Sequence, residues 1–308
     1  MDRLLSWWKG SGRAQGPAQG PEAGPEEPSG PAPLPVDHRV GGYQITGPLG
    51  QGGTATVYAA QDGAGQEAAV KIPLRASLGD AEFVATFQRE AELGVTLRHP
   101  SIVRVLAAGS YATPDFPVVP FFAMERLRGR DLKHFLREAG RLPQEMALPI
   151  ARAVADALDW AHQRGVVHRD ISPSNVFLTA RRSVKVMDFG ISAADTGQGG
   201  PRRGICRGTP EYFAPERVAD VQSADPRVDL YALGCVLYEM LAGHPPFSAD
   251  RPEEVLRLQV EAPVPPLPPE IPVAPGLRRI LARLLEKDPE RRYQSAREVL
   301  NALADLAG

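Results

Sequence analysis

From Tyr43 to Met124 apolar residues come in short runs or alternate with polar ones, whereas beyond Gly129 they recur every three or four positions. The chain therefore predicts a β-rich part followed by a helical part. The runs Tyr43 to Leu49, Thr56 to Ala60 and Ala68 to Ile72 are separated by glycine-bearing turns at Gly50 to Gly53 and Asp62 to Gly65, the pattern of an antiparallel meander. Ala81 to Arg98 places Phe83, Phe87, Ala91, Leu93 and Leu97 at helical spacing and closes at His99-Pro100. Two more strands, Ile102 to Ala108 and Pro117 to Met124, complete a small sheet carrying one main helix.

In the second part Leu142 to Gln163 is the clearest helix, with Pro143 suited to its first turn and a stripe of Ile150, Val154, Ala157, Leu158 and Ala161. Pro149 removes a backbone donor and is expected to bend the first turns. Val228 to Ala242, Pro252 to Gln259, Gly276 to Glu286 and Ser295 to Leu306 supply further helices. Ala262 to Pro275 reads as an interhelical loop, or as a ligand for a polyproline-reading module. Strands first and helices later, with polar motifs at the seam, predict an α+β fold: a small antiparallel β lobe with one main helix, and a larger, mostly α-helical lobe across a cleft. The expected boundaries are a tail over 1–39, a small lobe over 40–127 and a large lobe over 128–308.

Composition narrows the classes. With 308 residues and 43% hydrophobic content the chain can bury a sizeable core. Its 35 basic and 37 acidic residues nearly balance, which argues against a global nucleic-acid or membrane surface. Cys206 and Cys235 make neither a disulfide framework nor a metal cluster, and they fit a reducing cytoplasm as free thiols. No apolar run approaches the ~20 residues that span a bilayer. From Gly10 to Val36 the chain is mostly Gly, Pro, Ala, Gln and Glu and cannot offset its ordering entropy, so it reads as a disordered linker. Ahead of it, Leu4, Leu5, Trp7 and Trp8 form either a solvated end or a patch that docks on a partner, on the protein's own surface or at a lipid interface.

Several motifs carry chemistry. Leu49-Gly50-Gln51-Gly52-Gly53-Thr54-Ala55-Thr56-Val57 joins two predicted strands; its glycines let backbone N–H groups approach phosphate oxygens, an ordinary hairpin being the alternative. Since no helix follows, it is a poor fit to a dinucleotide fold or a Walker loop. Lys71 ends the run Ala68-Ala69-Val70, and Glu90 in the predicted helix could meet it as a partly buried ion pair or remain a surface charge. His168-Arg169-Asp170, Asn175 and Asp188-Phe189-Gly190 place two acids and an amide on loops flanking two short β-like runs. Such groups suit divalent cations beside a hydroxyl nucleophile.

Together with Ala214-Pro215-Glu216, these motifs match protein-kinase signatures in order and spacing. From Tyr43 to about Leu306 the chain resembles the eukaryotic-like serine/threonine protein kinases of bacteria. The resemblance implies a bilobal, ATP- and Mg²⁺-dependent enzyme that transfers the γ-phosphate to serine or threonine hydroxyls of protein substrates. It implies that Lys71 holds the α- and β-phosphates and pairs with Glu90, that Asn175 and Asp188 bind Mg²⁺, and that Asp170 positions and deprotonates the substrate hydroxyl. Leu49 to Gly53 would cover the phosphates, Val57 and Ala69 would lie above the adenine and Phe177 below it. Met124 would be the gatekeeper, with Glu125, Arg126 and Leu127 as hinge. Asp229 would tie down the catalytic loop, and Glu216 would pair with Arg292 as a brace.

Four positions depart from the pattern. Ala55 stands where a third glycine is usual, which predicts weakened nucleotide binding. Ser172 replaces the lysine that touches the γ-phosphate, a loss expected to cost a few kcal/mol of transition-state stabilisation if nothing substitutes. Between Gly190 and Thr209 the hydroxyls Ser192 and Thr196 lie early, while Arg202, Arg203 and Arg207 occupy the middle; activation without loop phosphorylation is the expectation. Cys206 in that segment is a redox handle or an inert thiol. Gly94 falls where an apolar side chain would stack on Phe189, which predicts a loosely held helix. Two other classes compete: a pseudokinase scaffold without turnover, disfavoured by Lys71, Asp170, Asn175 and Asp188, and a small-molecule phosphotransferase, disfavoured by Ala214-Pro215-Glu216 and Arg292.

Overall fold

The alternating runs form strands and the three-to-four spacing forms helices. A computed structural model describes residues 37–189, 209–220 and 224–306. In chain order the elements are β1 (Arg39–Val40), β2 (Tyr43–Gln51), β3 (Ala55–Gln61), β4 (Glu67–Pro73), α1 (Ala81–Thr96), β5 (Val105–Tyr111), β6 (Val119–Glu125), β7 (Gly129–Asp131), α2 (Leu132–Ala139), α3 (Gln144–His162), β8 (Val176–Thr179), β9 (Val184–Val186), α4 (Pro215–Ala219), α5 (Arg227–Ala242), α6 (Pro252–Glu261), α7 (Pro275–Leu284) and α8 (Ala296–Ala304). They fall in two compact units, one up to Ala85 with Leu106–Arg126, the other Thr86–Val105 with everything from Leu127. The apolar start, the linker, Gly190, Ser192, Thr196, Cys206, Gly208 and the 202, 203 and 207 arginines lie outside the described residues.

The first unit is a sheet of order β1-β2-β3-β4-β6-β5. Alternation sends Tyr58, Ala60, Val70, Ile72, Phe121 and Ala123 to one face, where they pack with Val40, Ile45 and Val119 as a core. The opposite face therefore carries Val57, Ala59, Ala69, Lys71, Phe122 and Met124. Antiparallel register sets Lys71 across from both Val57 and Phe122, and Ala69 across from both Ala59 and Met124. Between Ile45 and Gly47 and between Pro48 and Gly50 the β2–β3 register shifts, so bulges lead into the glycine turn.

In the second unit α5 is buried along almost its whole length, as a helix apolar all round must be. α3 and α7 pack on it, and α8 packs on α3 and α7. It ends at Gly243, whose φ of +89° is a left-handed cap that a side chain would strain. β7, β8 and β9 form a small antiparallel sheet. Gly129 makes the close approach to it: a Cβ there would lie 2.1 Å from the Leu178 carbonyl oxygen. Ala262 to Ile271 is an interhelical loop whose carbonyls at Leu267, Pro268 and Ile271 accept bonds from Arg278.

Two expectations shift. The strand expected from Ile102 begins at Val105, because Ser101 to Val103 instead bridge β9, with Val103 N–H donating to the Val186 carbonyl at 2.9 Å. α2, outside the expected elements, is capped by Asp131, whose carboxylate accepts from His134 N–H at 2.8 Å. At Gly94 a Cβ would meet Val105 Cγ2 at 2.7 Å, so Val105 lies against the space the glycine leaves. Among the described residues no helix is long and apolar enough to cross a membrane.

Candidate active site

The loop that follows α3 is built around Asp229 in the first turn of α5. This carboxylate is fully buried and accepts from His168 N–H at 2.8 Å, from Arg169 N–H at 2.7 Å and shares a 2.8 Å bond with His162 Nε2. Burial alone would raise its carboxyl; the bonds from His162 and from the His168 amide outweigh that and hold it below the usual carboxylate range. The two amide bonds offset a local cost, since Arg169 sits at φ +64°, a left-handed conformation that disfavours any side chain. Arg217 of α4 reinforces the turn by donating to the Arg169 carbonyl while its guanidinium stacks 3.9 Å from the Phe213 ring centroid.

His168 then ties the loop to the Asp188 segment. Its Nδ1 accepts from Asp170 N–H at 3.2 Å, which leaves Nε2 to donate to the Met187 carbonyl at 2.8 Å. Its ring meets Phe189 edge-on at 4.5 Å between centroids. The next residue back, Asp188, has φ +58°. Two of the four non-glycine residues with positive φ among those described are therefore Arg169 and Asp188, strain concentrated where the motifs lie.

Asp170 and Asn175 are locked together. Asn175 Nδ2 donates to the Asp170 carbonyl at 2.8 Å and to its carboxylate at 2.9 Å, while Asn175 N–H and carbonyl are taken by Ser172 and Met187. With Nδ2 spent in this way, Oδ1 of Asn175 is left as an acceptor. Burial raises the Asp170 carboxyl above its ordinary value, partly countered by His168, Arg217 and the Asn175 bond. A carboxylate made more basic and held in one rotamer is suited to accept a proton. Oδ1 of Asn175 and the carboxylate of Asp188 are hard oxygen donors of the kind Mg²⁺ prefers, so the residues fit that ion.

In the first unit the face opposite the core brings Val57, Ala69, Lys71 and Met124 together across β3, β4 and β6. Lys71 is buried with Nζ 5.7 Å from the Phe122 ring centroid. The glycine turn closes with Gly52 N–H donating to the Ala55 carbonyl at 2.8 Å, and a Cβ at Gly50 or Gly53 would meet nothing within 4 Å. Leu49 is exposed, and Glu125 ends β6 opposite Ala68. In the second unit lie half-buried Leu127, half-buried Phe177 on β8 and buried Glu90 on α1.

Ser172 is enclosed, and among the described residues its Oγ has no hydrogen-bond partner. Two further residues were not singled out from the sequence. His162 falls on α3 as an unremarkable polar residue. Gln259, fully buried on α6, donates from Nε2 to the Glu211 and Pro210 carbonyls at 2.7 and 3.3 Å and accepts from Tyr231 Oη at 2.7 Å. Neither has a motif, because each acts on a segment far away in sequence. The brace is present: Arg292 is fully buried and bidentate to Glu216 at 2.5 and 2.7 Å.

Residues 43–303 match the family model for the protein kinase domain, and the chain belongs to that family. Its similarity runs to bacterial serine/threonine protein kinases. Over 262 residues it is 39% identical to the serine/threonine-protein kinase PknB of Mycolicibacterium smegmatis, covering 83% of this chain and 41% of that protein. Over 267 residues it is 41% identical to a probable serine/threonine-protein kinase of Streptomyces coelicolor, covering 85% of this chain and 39% of that one. The chain thus spans about two fifths of the length of these relatives.

Proposed function

We propose that this chain transfers the γ-phosphate of ATP, with Mg²⁺, to serine or threonine hydroxyls of protein substrates. The observation that carries the reading is the locked pair of Asp170 and Asn175 beside the strained Arg169 and Asp188. Asp170 accepts the proton of the substrate hydroxyl. Its fixed rotamer holds that hydroxyl in line, and positioning is most of what phosphoryl transfer asks of a protein. Asn175 and Asp188 would hold Mg²⁺, which when bound neutralises charge developing on the phosphates. In the first unit Lys71 serves the α- and β-phosphates, the backbone of Gly50 to Gly53 covers them, and Leu49, Val57, Ala69, Met124 and Glu125 receive the adenine. Leu127 and Phe177 belong to the adenine set in the same reading, and Glu90 is the acidic partner it assigns to Lys71. The lobe boundaries at 40–127 and 128–308, a cytoplasmic location and partner docking through the first residues of the tail belong to the same reading.

Labelled ATP, Mg²⁺ and a generic basic protein test it. Wild type is expected to label serine or threonine, Asp188→Ala to label nothing, and Asp170→Asn to fall by about 10²–10⁴-fold, the usual share of a general base. Labelling that persists in Asp188→Ala refutes the assignment.

A further inference from the structure

The second unit contains a cavity of about 440 Å³ between the end of α5, the loop before α7 and α7 itself. Its walls include Tyr238, Val264, Leu267, Leu281 and Leu285. Such a volume and such walls suit a small molecule.

The charges on its rim are unbalanced. Arg278 lines it, and its guanidinium bonds go to the carbonyls of Leu267, Pro268 and Ile271. Lys287 lines it too, with Nζ donating to the Gln259 carbonyl at 2.5 Å, to Tyr231 Oη at 3.2 Å and, at 3.5 Å, to the Leu258 carbonyl, and lying 4.3 Å from the Phe247 ring centroid. Among the described residues neither cation has a carboxylate within ion-pair distance. The rim carboxylate, Glu286, lies 3.7 Å from Arg291. Two cations solvated by neutral oxygens and rings beside apolar walls lack a compensating anion. The Lys287 amine shows the cost, since burial pushes it down to about 8.

We propose that this cavity binds a small organic acid whose apolar body fills the space between Val264, Leu281 and Leu285 and whose carboxylate pairs with Lys287 and Arg278. Both cations are already fixed by their backbone bonds, so little side-chain order is lost on binding. The site stands apart from the transfer chemistry and does not depend on it.

Calorimetric titration of the full chain with decanoate, decanol and decylammonium tests the proposal. Decanoate is expected to bind saturably and decanol about tenfold more weakly, the scale of one charge-assisted contact. Decylammonium is expected not to bind. Lys287→Met should bring decanoate down to the level of decanol. Ala282→Trp, on the exposed rim of the cavity, should block both without touching the core. The proposal is overturned by an absence of saturable decanoate binding, by equal affinities for decanoate and decanol, or by Ala282→Trp leaving decanoate affinity unchanged.

Discussion

The turn between β2 and β3 and the loop from His168 to Asn175 are both assigned to phosphate chemistry in the proposed reading, yet they are held in opposite ways. The turn is closed by a backbone bond from Gly52 to Ala55 and has open space over Gly50 and Gly53. The loop is pinned by a fully buried carboxylate, two histidines, an arginine and an asparagine, at the cost of backbone strain at Arg169. Groups that meet charge in the transition state gain from being fixed beforehand, because reorganisation then costs nothing at the moment of reaction. A flap over a nucleotide must instead let it in and out. Mutations should therefore separate the two: stability and activity fall together in the loop, and part company in the turn.

Asp229→Ala is the largest expected effect. It strands the amides of His168 and Arg169 and leaves His162 beside an empty space, so unfolding in urea should show a loss of about 3–5 kcal/mol, as when one partner of a buried charged network is removed. Transfer should vanish with it as Arg169 relaxes from its left-handed backbone. Because the folded carboxyl is held below its ordinary pKa, its stabilisation is complete above the unfolded value and is lost as acid takes pH down through the folded one. Wild type should lose stability toward low pH more steeply than Asp229→Asn. Equal slopes would show that the network carries little charge.

Gln259→Leu tests whether the pinning extends to the segment before Ala214-Pro215-Glu216. It leaves the Pro210 and Glu211 carbonyls and the Tyr231 hydroxyl without their partner, for about 1–3 kcal/mol. KM for a protein substrate should rise while KM for ATP stays put. A parallel rise in both would mean that the residue only supports the fold.

Gly94→Leu probes the same unit through packing. A side chain there collides with Val105, and after regaining about 1 kcal/mol of helix propensity the net loss should be about 1–2 kcal/mol. Adding Val105→Ala should recover most of it in thermal melts. If the double variant melts no higher than Gly94→Leu alone, the valine is not what fills the gap.

These residues also mark where the sequence stops being informative. Lys71, Asp170, Asn175 and Asp188 stand out in the sequence because the phosphoryl-transfer signature fixes residue types and spacing, and the strands at β3 and β4 are legible because a half-buried sheet imposes alternation. Gln259, His162 and Arg217 act on segments 48–67 residues away, so nothing local distinguishes them. The apolar run at Ile102 predicts a strand of the first sheet but bridges β9 instead, because apolar runs do not say which sheet they join. Gly94 carries no local sign of Val105, which lies where its Cβ would be. Local pattern records the period of an element and the chemistry of a motif, while the partner across the fold is set by topology.

The smallest expected effect sharpens the comparison most. Gly53 does not have positive φ, and a Cβ there meets nothing within 4 Å, so alanine fits the turn as it stands. Gly53→Ala should then stabilise the first unit by about 0.4–1 kcal/mol, through the entropy taken from the unfolded chain. The same methyl group stands where backbone N–H groups must approach phosphate, so affinity for ATP should fall by a few-fold even as the melting temperature rises. A substitution in the pinned loop is expected to give the opposite sign, because its amides and Asn175 are already bonded. If Gly53→Ala lowers stability, the turn is already constrained without nucleotide; if ATP affinity is unchanged, the phosphates do not pass this glycine.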